Sequence, residues 1–255
     1  MTVAALAKEL LQARTEARIA GVDGWSGVVT DVDAAYRVQT EIAAQMGGPV
    51  RGWKVTALAE PDQRKYGAAR PLAGPLLAHF VQEGPATVAR SQFVAPMFEC
   101  EIAFVLGTDL PQRDAPYHRH EIGAAVSAVV AGLEIADCRV APSSTDLMKM
   151  ADAMGNGVYV VGTPVRDWHR LDLTDIAISV TIDGDEAYRG NSARILGNPL
   201  LAVVALANAQ PLPLGGLKKG QIVTTGSCVT PVPLRDGTYV ADLGPLGTVR
   251  LTVAG

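Results

Sequence analysis

The stretch Phe98-Glu99-Cys100-Glu101-Ile102-Ala103-Phe104-Val105-Leu106 decides how the rest of the chain is read. It is apolar, rich in aromatic and β-branched residues, and stopped by Gly107, which predicts a β-strand. Two acids interrupt it two residues apart. Side chains alternate across a strand, so Glu99 and Glu101 share a face. Two neighbouring carboxylates repel in a dry interior, and burying either one unpaired is costly. A divalent cation removes both costs, and hard oxygen ligands suit Mg²⁺, Mn²⁺ or Ca²⁺ better than zinc or copper. The alternative is that this face looks at solvent, as in many antiparallel sheets.

A second apolar strand, Gly132-Leu133-Glu134-Ile135-Ala136-Asp137, also carries an acid in its middle, which makes Glu134 the natural third carboxylate. Asp137 is either a support behind that ligand or an ion-pair partner of Arg139. Val50-Arg51-Gly52-Trp53-Lys54-Val55 is a short strand with a lysine in an apolar setting, either paired inside or snorkelling to the surface. His118 and His120 bracket Arg119 in a polar loop, and a solvated pair is the better reading than a metal site.

The 255 residues permit one large domain or two small ones. With 48% hydrophobic and only 19% charged residues, the composition is globular, and the net charge of −4 offers no attraction to nucleic acid or an anionic membrane. Cys100, Cys138 and Cys228 are widely spaced, which argues for reduced thiols, a cytoplasmic protein and no zinc site. No apolar run reaches the roughly 20 residues of a membrane span.

Helical spacing covers residues 2–20, and a second helix begins near Thr30 or Asp31 and stops at Gly47-Gly48, giving an N-terminal helical segment over 1–50. Residues 51–255 form the catalytic part, packed with it as one unit. Within it, 58–70 are polar with some helical character and Pro71 to Leu77 reads as a constrained loop. A helix is expected from Glu121 to about Val130, another from Asp146 to Ala153, a tight turn at Gly155-Asn156-Gly157, and a strand at Val158–Val161. The rest is mostly β, with an Asp183-Gly184 turn and one helix from about Pro199 to Ala209.

Six segments in order carry a family resemblance: Ala35-Tyr36-Arg37-Val38-Gln39, Gly52-Trp53-Lys54-Val55, Glu99 to Val105, Gly132-Leu133-Glu134-Ile135, Leu196-Gly197-Asn198-Pro199-Leu200 and Thr225-Gly226-Ser227. Together they resemble the 2-keto-4-pentenoate hydratase and 4-oxalocrotonate decarboxylase branch of the fumarylacetoacetate hydrolase superfamily. The resemblance implies an α+β fold, a mixed β-sandwich or roll preceded by helices. It implies Mg²⁺ or Mn²⁺ held by Glu99, Glu101 and Glu134, with Lys54 matching the family's active-site lysine. It also implies a small 2-oxo acid as substrate and a homo-oligomer.

The expected reaction is addition of water to an unsaturated 2-oxo acid, a 2-hydroxydienoate becoming a 4-hydroxy-2-oxo acid. Alternatives are 2-oxo acid decarboxylation, C–C bond hydrolysis, and a non-catalytic partner subunit of a hydratase–decarboxylase complex. Many hydratases of this branch carry an aspartate where this chain has Ala78-His79, so His79 is the candidate replacement acid–base group. They also tend to have Asn and Ser where this chain reads Ala153-Met154-Gly155. Leu76, Leu77, Gly155 and Thr225 are expected to line the substrate pocket.

Overall fold

The computed structural model describes residues 1–255. Along the chain run α1 (Val3–Thr15), α2 (Val32–Met46), β1 (Val50–Thr56), α3 (Glu60–Lys65), β2 (Leu72–Leu77), β3 (Val81–Glu83), β4 (Ala86–Ala89) and β5 (Met97–Leu106). Then come α4 (Arg119–Ala125), β6 (Val126–Ala136), α5 (Asp146–Ala151), β7 (Asn156–Val161), β8 (Ala177–Ile182), β9 (Asp185–Asn191), α6 (Leu200–Asn208), β10 (Ile222–Ser227), β11 (Val232–Pro233), β12 (Gly237–Asp242) and β13 (Thr248–Ala254). The α+β class expected from the sequence is the one observed.

The larger sheet runs β2-β1-β10-β5-β6-β7-β3, with β11 added beside β5; the smaller is β4-β13-β12-β8-β9. In a flat sheet β2 and β7 would lie five strand spacings apart, roughly 24 Å. Instead they touch, so the sheet is curled into a roll. Strand alternation gives this roll two faces. Phe98, Cys100, Ile102 and Phe104 of β5 point outward into the main core, where Phe98 stacks on Tyr239 of the small sheet at 4.7 Å. Ala103 points inward, joining Leu76, Val130, Tyr159, Val161 and Ile222 in a separate apolar plug. Glu99 and Glu101 share that inner face.

The N-terminal helices belong to the same core. Thr2 caps α1 through the amide of Ala5, and Asp31 caps α2 through that of Ala34 at 2.7 Å. Leu6, Leu10, Ala35 and Val38 pack into the cluster that includes the outer sheet face. The Gln39 side chain donates to the carbonyl of Met150 at 2.7 Å, and Ala73 N–H donates to the Tyr36 hydroxyl.

Three local expectations are corrected. Pro71 to Leu77 is a strand from residue 72 onward, not a loop; Pro75 pairs with Trp53 but sits on the edge strand of the sheet, where a missing N–H is tolerated. The helix expected to reach Val130 ends at Ala125, because the Val-rich run beyond it pairs with β5 along nearly its whole length. The Gly155-Asn156-Gly157 turn lies earlier than expected: Ala153, Met154 and Gly155 all have positive φ, and Asn156 already opens β7. No helix is long and apolar enough to cross a membrane.

Candidate metal centre

The antiparallel register of β5 and β6 sets Glu99 directly opposite Glu134, and Glu101 opposite Gly132. With Glu99 and Glu101 already on one face, the three acids converge, and one oxygen from each lies within 4.8 Å of the others. Glu101 and Glu134 are 1% and 0% exposed, while Glu99 is half-buried toward solvent. Gly132 is required here for space. A Cβ at that position would fall 2.0 Å from the hydroxyl of Tyr159, whose ring crosses from β7 over the glycine. From the other side, Lys54 of β1 donates from Nζ to Oε1 of Glu134 at 2.7 Å.

Three carboxylates thus face one ammonium. Burial pulls the Lys54 pKa down, but Glu134, Glu99 and Glu101 outweigh it and hold the ammonium above the ordinary lysine value. Burial pushes the Glu101 carboxyl well above its usual range, reinforced by Glu134 and Glu99. Burial also raises Glu99, against the pull of Lys54 and with the push of Glu134. Oε2 of Glu101 and of Glu134 has no hydrogen-bond partner, and neither does the hydroxyl of Tyr159 or of Ser227. Leaving such a group buried and unpaired costs about 1–3 kcal/mol, more when it is charged. Orphaned carboxylate oxygens that converge from two strands, all hard donors, fit a divalent cation of the Mg²⁺, Mn²⁺ or Ca²⁺ kind.

Behind the acids the charged groups are paired by the chain itself, while Oδ1 of Asn156 is left without a partner. Asn156 donates from Nδ2 to Oε1 of Glu134 at 3.4 Å. Its backbone carbonyl accepts from Arg139 at 2.8 Å and from Arg14 of α1. Arg139 is fully buried against Asp152 at 2.8 Å, and Asp137 accepts the amides of Val94 and Ala95 at 3.1 and 2.9 Å. The carbonyl of Asp137 also accepts from Arg139.

A cleft opens over the acids in two arms that share Lys54, Thr56 and Glu99. One arm, a cavity of about 370 Å³, is walled by Glu101, Arg194, Leu196, Thr225 and Ser227. The other, about 270 Å³, is walled by Tyr66, Lys149, Met154 and Gly155. A larger hollow of about 780 Å³ around His118, His120 and His169 contains none of the acids. His118 and His120 are exposed there, their rings stacked 6.0 Å apart.

Lys54, Glu99, Glu101 and Glu134 are therefore brought together, with Thr225 and Gly155 one in each arm. The Thr225 hydroxyl is occupied, donating to the carbonyl of Ile102 at 2.7 Å. Leu76, Leu77 and His79 are not brought to the centre. The β1–β2 register pairs Lys54 with Gly74, Gly52 with Leu76 and Val50 with Leu77, so β2 runs away from the acids by about 3.3 Å per residue. Leu76 is buried in the apolar plug, Leu77 faces the outer core, and exposed His79 borders a different cavity with Arg14 and Phe80. Sequence reasoning missed Asn156, Tyr159 and Arg194. The first two meet Glu134 only through the pairing of β6 with β7, which no short-range pattern reveals.

Residues 65–254 match the fumarylacetoacetate hydrolase C-terminal family. The 2-keto-4-pentenoate hydratase of Burkholderia vietnamiensis (strain G4) is 30% identical over 230 residues, covering 87% of this chain and 86% of that protein. That of Paraburkholderia xenovorans (strain LB400) is 31% identical over 225 residues, covering 86% and 83%. The fold matches that of 4-oxalocrotonate decarboxylase from Pseudomonas putida G7, solved with magnesium and adipate, at a TM-score of 0.87 and 23% identity over 98% and 97% of the two chains. With its family match spanning most of its length and its hydratase relatives aligned nearly end to end, the chain belongs to the fumarylacetoacetate hydrolase family.

Proposed function

We propose that the protein is a divalent-metal-dependent hydro-lyase that adds water to an unsaturated 2-oxo acid, with Glu99, Glu101 and Glu134 as ligands of Mg²⁺ or Mn²⁺. The observation that carries this reading is the pair of orphaned, buried oxygens on Glu101 and Glu134 beside Lys54, at the floor of an open cleft. Relatives named as 2-keto-4-pentenoate hydratases support the choice of reaction.

A cation bound by the three glutamates would supply Lewis-acid polarisation to the carboxylate and 2-keto oxygens of the substrate. The chain's own groups do the rest. Lys54 Nζ, protonated and facing both arms, pairs with the substrate carboxylate and holds a proton within reach of its carbon chain. Asn156 fixes the orientation of Glu134, and the Arg139 and Arg14 guanidinium groups fix Asn156. The Ser227 hydroxyl, buried and without a partner beside Glu101 on the larger arm, is a further donor available to the head group of the substrate. Met154 and Leu196 give each arm an apolar side that shields the chain of the substrate. The net change is ketonisation of the 2-hydroxydienoate with a proton gained at C5, then hydroxide added at C4 and a proton at C3.

Incubation with Mg²⁺ and 2-hydroxypenta-2,4-dienoate, then with its carboxylated analogue, tests the proposal. A 4-hydroxy-2-oxo acid product, abolished by EDTA, is expected. Carbon dioxide release instead would make the protein a decarboxylase, and inertness toward both would favour the partner-subunit role. The resemblance to an oligomer-forming family supports self-association as well, and a monomer in light scattering at micromolar concentration would count against it.

A further inference from the structure

The two arms of the cleft differ in how their cations are engaged. In the smaller arm, Lys149 is tied to Asp146 at 3.0 Å. In the larger arm Arg194 has no carboxylate or carbonyl partner, while the one acid on the outer wall, Asp62, is already paired with Lys65 at 2.7 Å. An unengaged guanidinium therefore faces a cavity whose floor holds the metal ligands.

The loop that carries it is built rather than slack. Asn191 caps the short turn Ser192–Arg194 through the amide of Ala193 at 2.8 Å, and the Ser192 hydroxyl is buried against the amide of Ile176. Leu196 and Gly197 then take positive φ, and the Asn198 side chain accepts the amide of Leu200 at 3.0 Å as α6 begins. This fixed bend leaves Leu196 45% exposed on the same wall as Arg194. An apolar side chain next to a free arginine fork, with the metal ligands at the other end, suits an aliphatic chain ending in an anion.

Resting on the 2-oxo acid reading above, we infer that the substrate carries a second, distal carboxylate and that Arg194 is the residue that selects it. The 2-oxo acid head lies at Lys54 and the acids, the carbon chain passes Leu196, and the terminal carboxylate meets the planar guanidinium, which can bind it in a bidentate manner. A monoacid of the same length leaves that cation without a partner.

Binding of saturated, unreactive 2-oxo acids separates the two assignments. Calorimetry on the Mg²⁺-loaded protein would compare 2-oxoadipate with 2-oxohexanoate, and 2-oxoheptanedioate with 2-oxoheptanoate. The diacid of at least one pair should bind roughly 10-fold or more tightly than its monoacid, as a charge-assisted, partly enclosed pair allows. Arg194→Ala should collapse that ratio to near one by weakening the diacid, and Arg194→Lys should keep part of it. Arg194 is exposed, so neither variant threatens the fold. Ratios near one in the unmodified protein, or a ratio unchanged in Arg194→Ala, would overturn the role of Arg194 while head-group binding left the proposed function standing. Absence of binding by all four acids would overturn both.

Discussion

Two buried acidic clusters approach within three residues in sequence, at Glu134 and Asp137, and they solve the problem of buried charge in opposite ways. Asp137, just past the end of β6, accepts two backbone amides, and Asp152 takes a buried ion pair from Arg139. Every charge there has a partner from the chain itself. Glu101 and Glu134, equally buried, have one lysine for three acids and two oxygens with no partner at all. Burial of a carboxylate is therefore not by itself what suits a group to a cation; burial without sufficient chain-derived partners is. The Asp137 cluster is a brace, and through Asn156 it braces the other cluster.

That contrast is broken most severely by Glu101→Gln. The amide keeps the shape but removes one charge from the proposed ligand set, so turnover should fall by roughly 10³-fold or more. The stability of the metal-free protein should stay level or rise, because one of three repelling carboxylates is gone. Steady-state rates with Mg²⁺ and denaturant melts in EDTA read the two effects separately, and undiminished turnover would remove Glu101 from the centre. Arg139→Met should do the reverse. It strands Asp152 inside the fold, at about 3–5 kcal/mol of unfolding free energy with or without Mg²⁺. A variant as stable as the parent would show that the brace is dispensable.

Gly132→Ala sharpens the comparison at smaller scale. The new methyl collides with the Tyr159 hydroxyl and with Cζ, at 2.0 and 2.5 Å, on the wall between Glu101 and Glu134. Tyr159 is fully buried in the plug, so the ring cannot swing away, and overpacking of about 3 kcal/mol is expected. Pairing it with Tyr159→Phe, which removes the clashing oxygen, should recover part of the loss in a melt. If the double variant is no better than the single, the clash lies with the ring carbons, which phenylalanine keeps.

Much of this centre was legible because a strand has a period of two. Glu99 and Glu101 in an apolar run had to share a face, and a third acid in a second apolar strand had to find a partner. What the period cannot give is register. Sliding β6 by one residue against β5 would have turned Glu134 to the outer core, and only the observed pairing with Glu99 excludes it. The misplacement of His79 has the same root: its closeness in sequence to Gly74 suggested closeness to Lys54, but an extended strand carries each residue farther from its neighbour's site. Reading Pro71 to Leu77 as a loop hid that strand. Arg194 was invisible for another reason, since a polar loop residue becomes informative only when the wall it stands on is known.

The smallest effect expected is a pH dependence that only the glutamate cluster should produce. In the metal-free fold the carboxyls of Glu99 and Glu101 are held above their usual range by burial first, with Glu134 adding to both and Glu99 adding to Glu101. A raised folded pKa means that the folded protein keeps protons the unfolded chain releases. That contribution is fully present below the unfolded value near 4.5 and is lost as pH rises through the folded values. On the proposed metal reading, Mg²⁺ would displace those protons, so its affinity should climb with pH where theirs are still bound, by up to about 1.4 kcal/mol per pH unit for each proton displaced. Stability in EDTA should therefore weaken as the pH rises above about 4.5, while the added stability from saturating Mg²⁺ grows by a few degrees per unit. Glu101→Gln, with one titrating group fewer, should flatten the EDTA slope. A Mg²⁺ increment that is constant across this range would mean that the acids are already ionised without the cation, with Lys54 and solvent sufficient to balance them, and the contrast between the two clusters would fail.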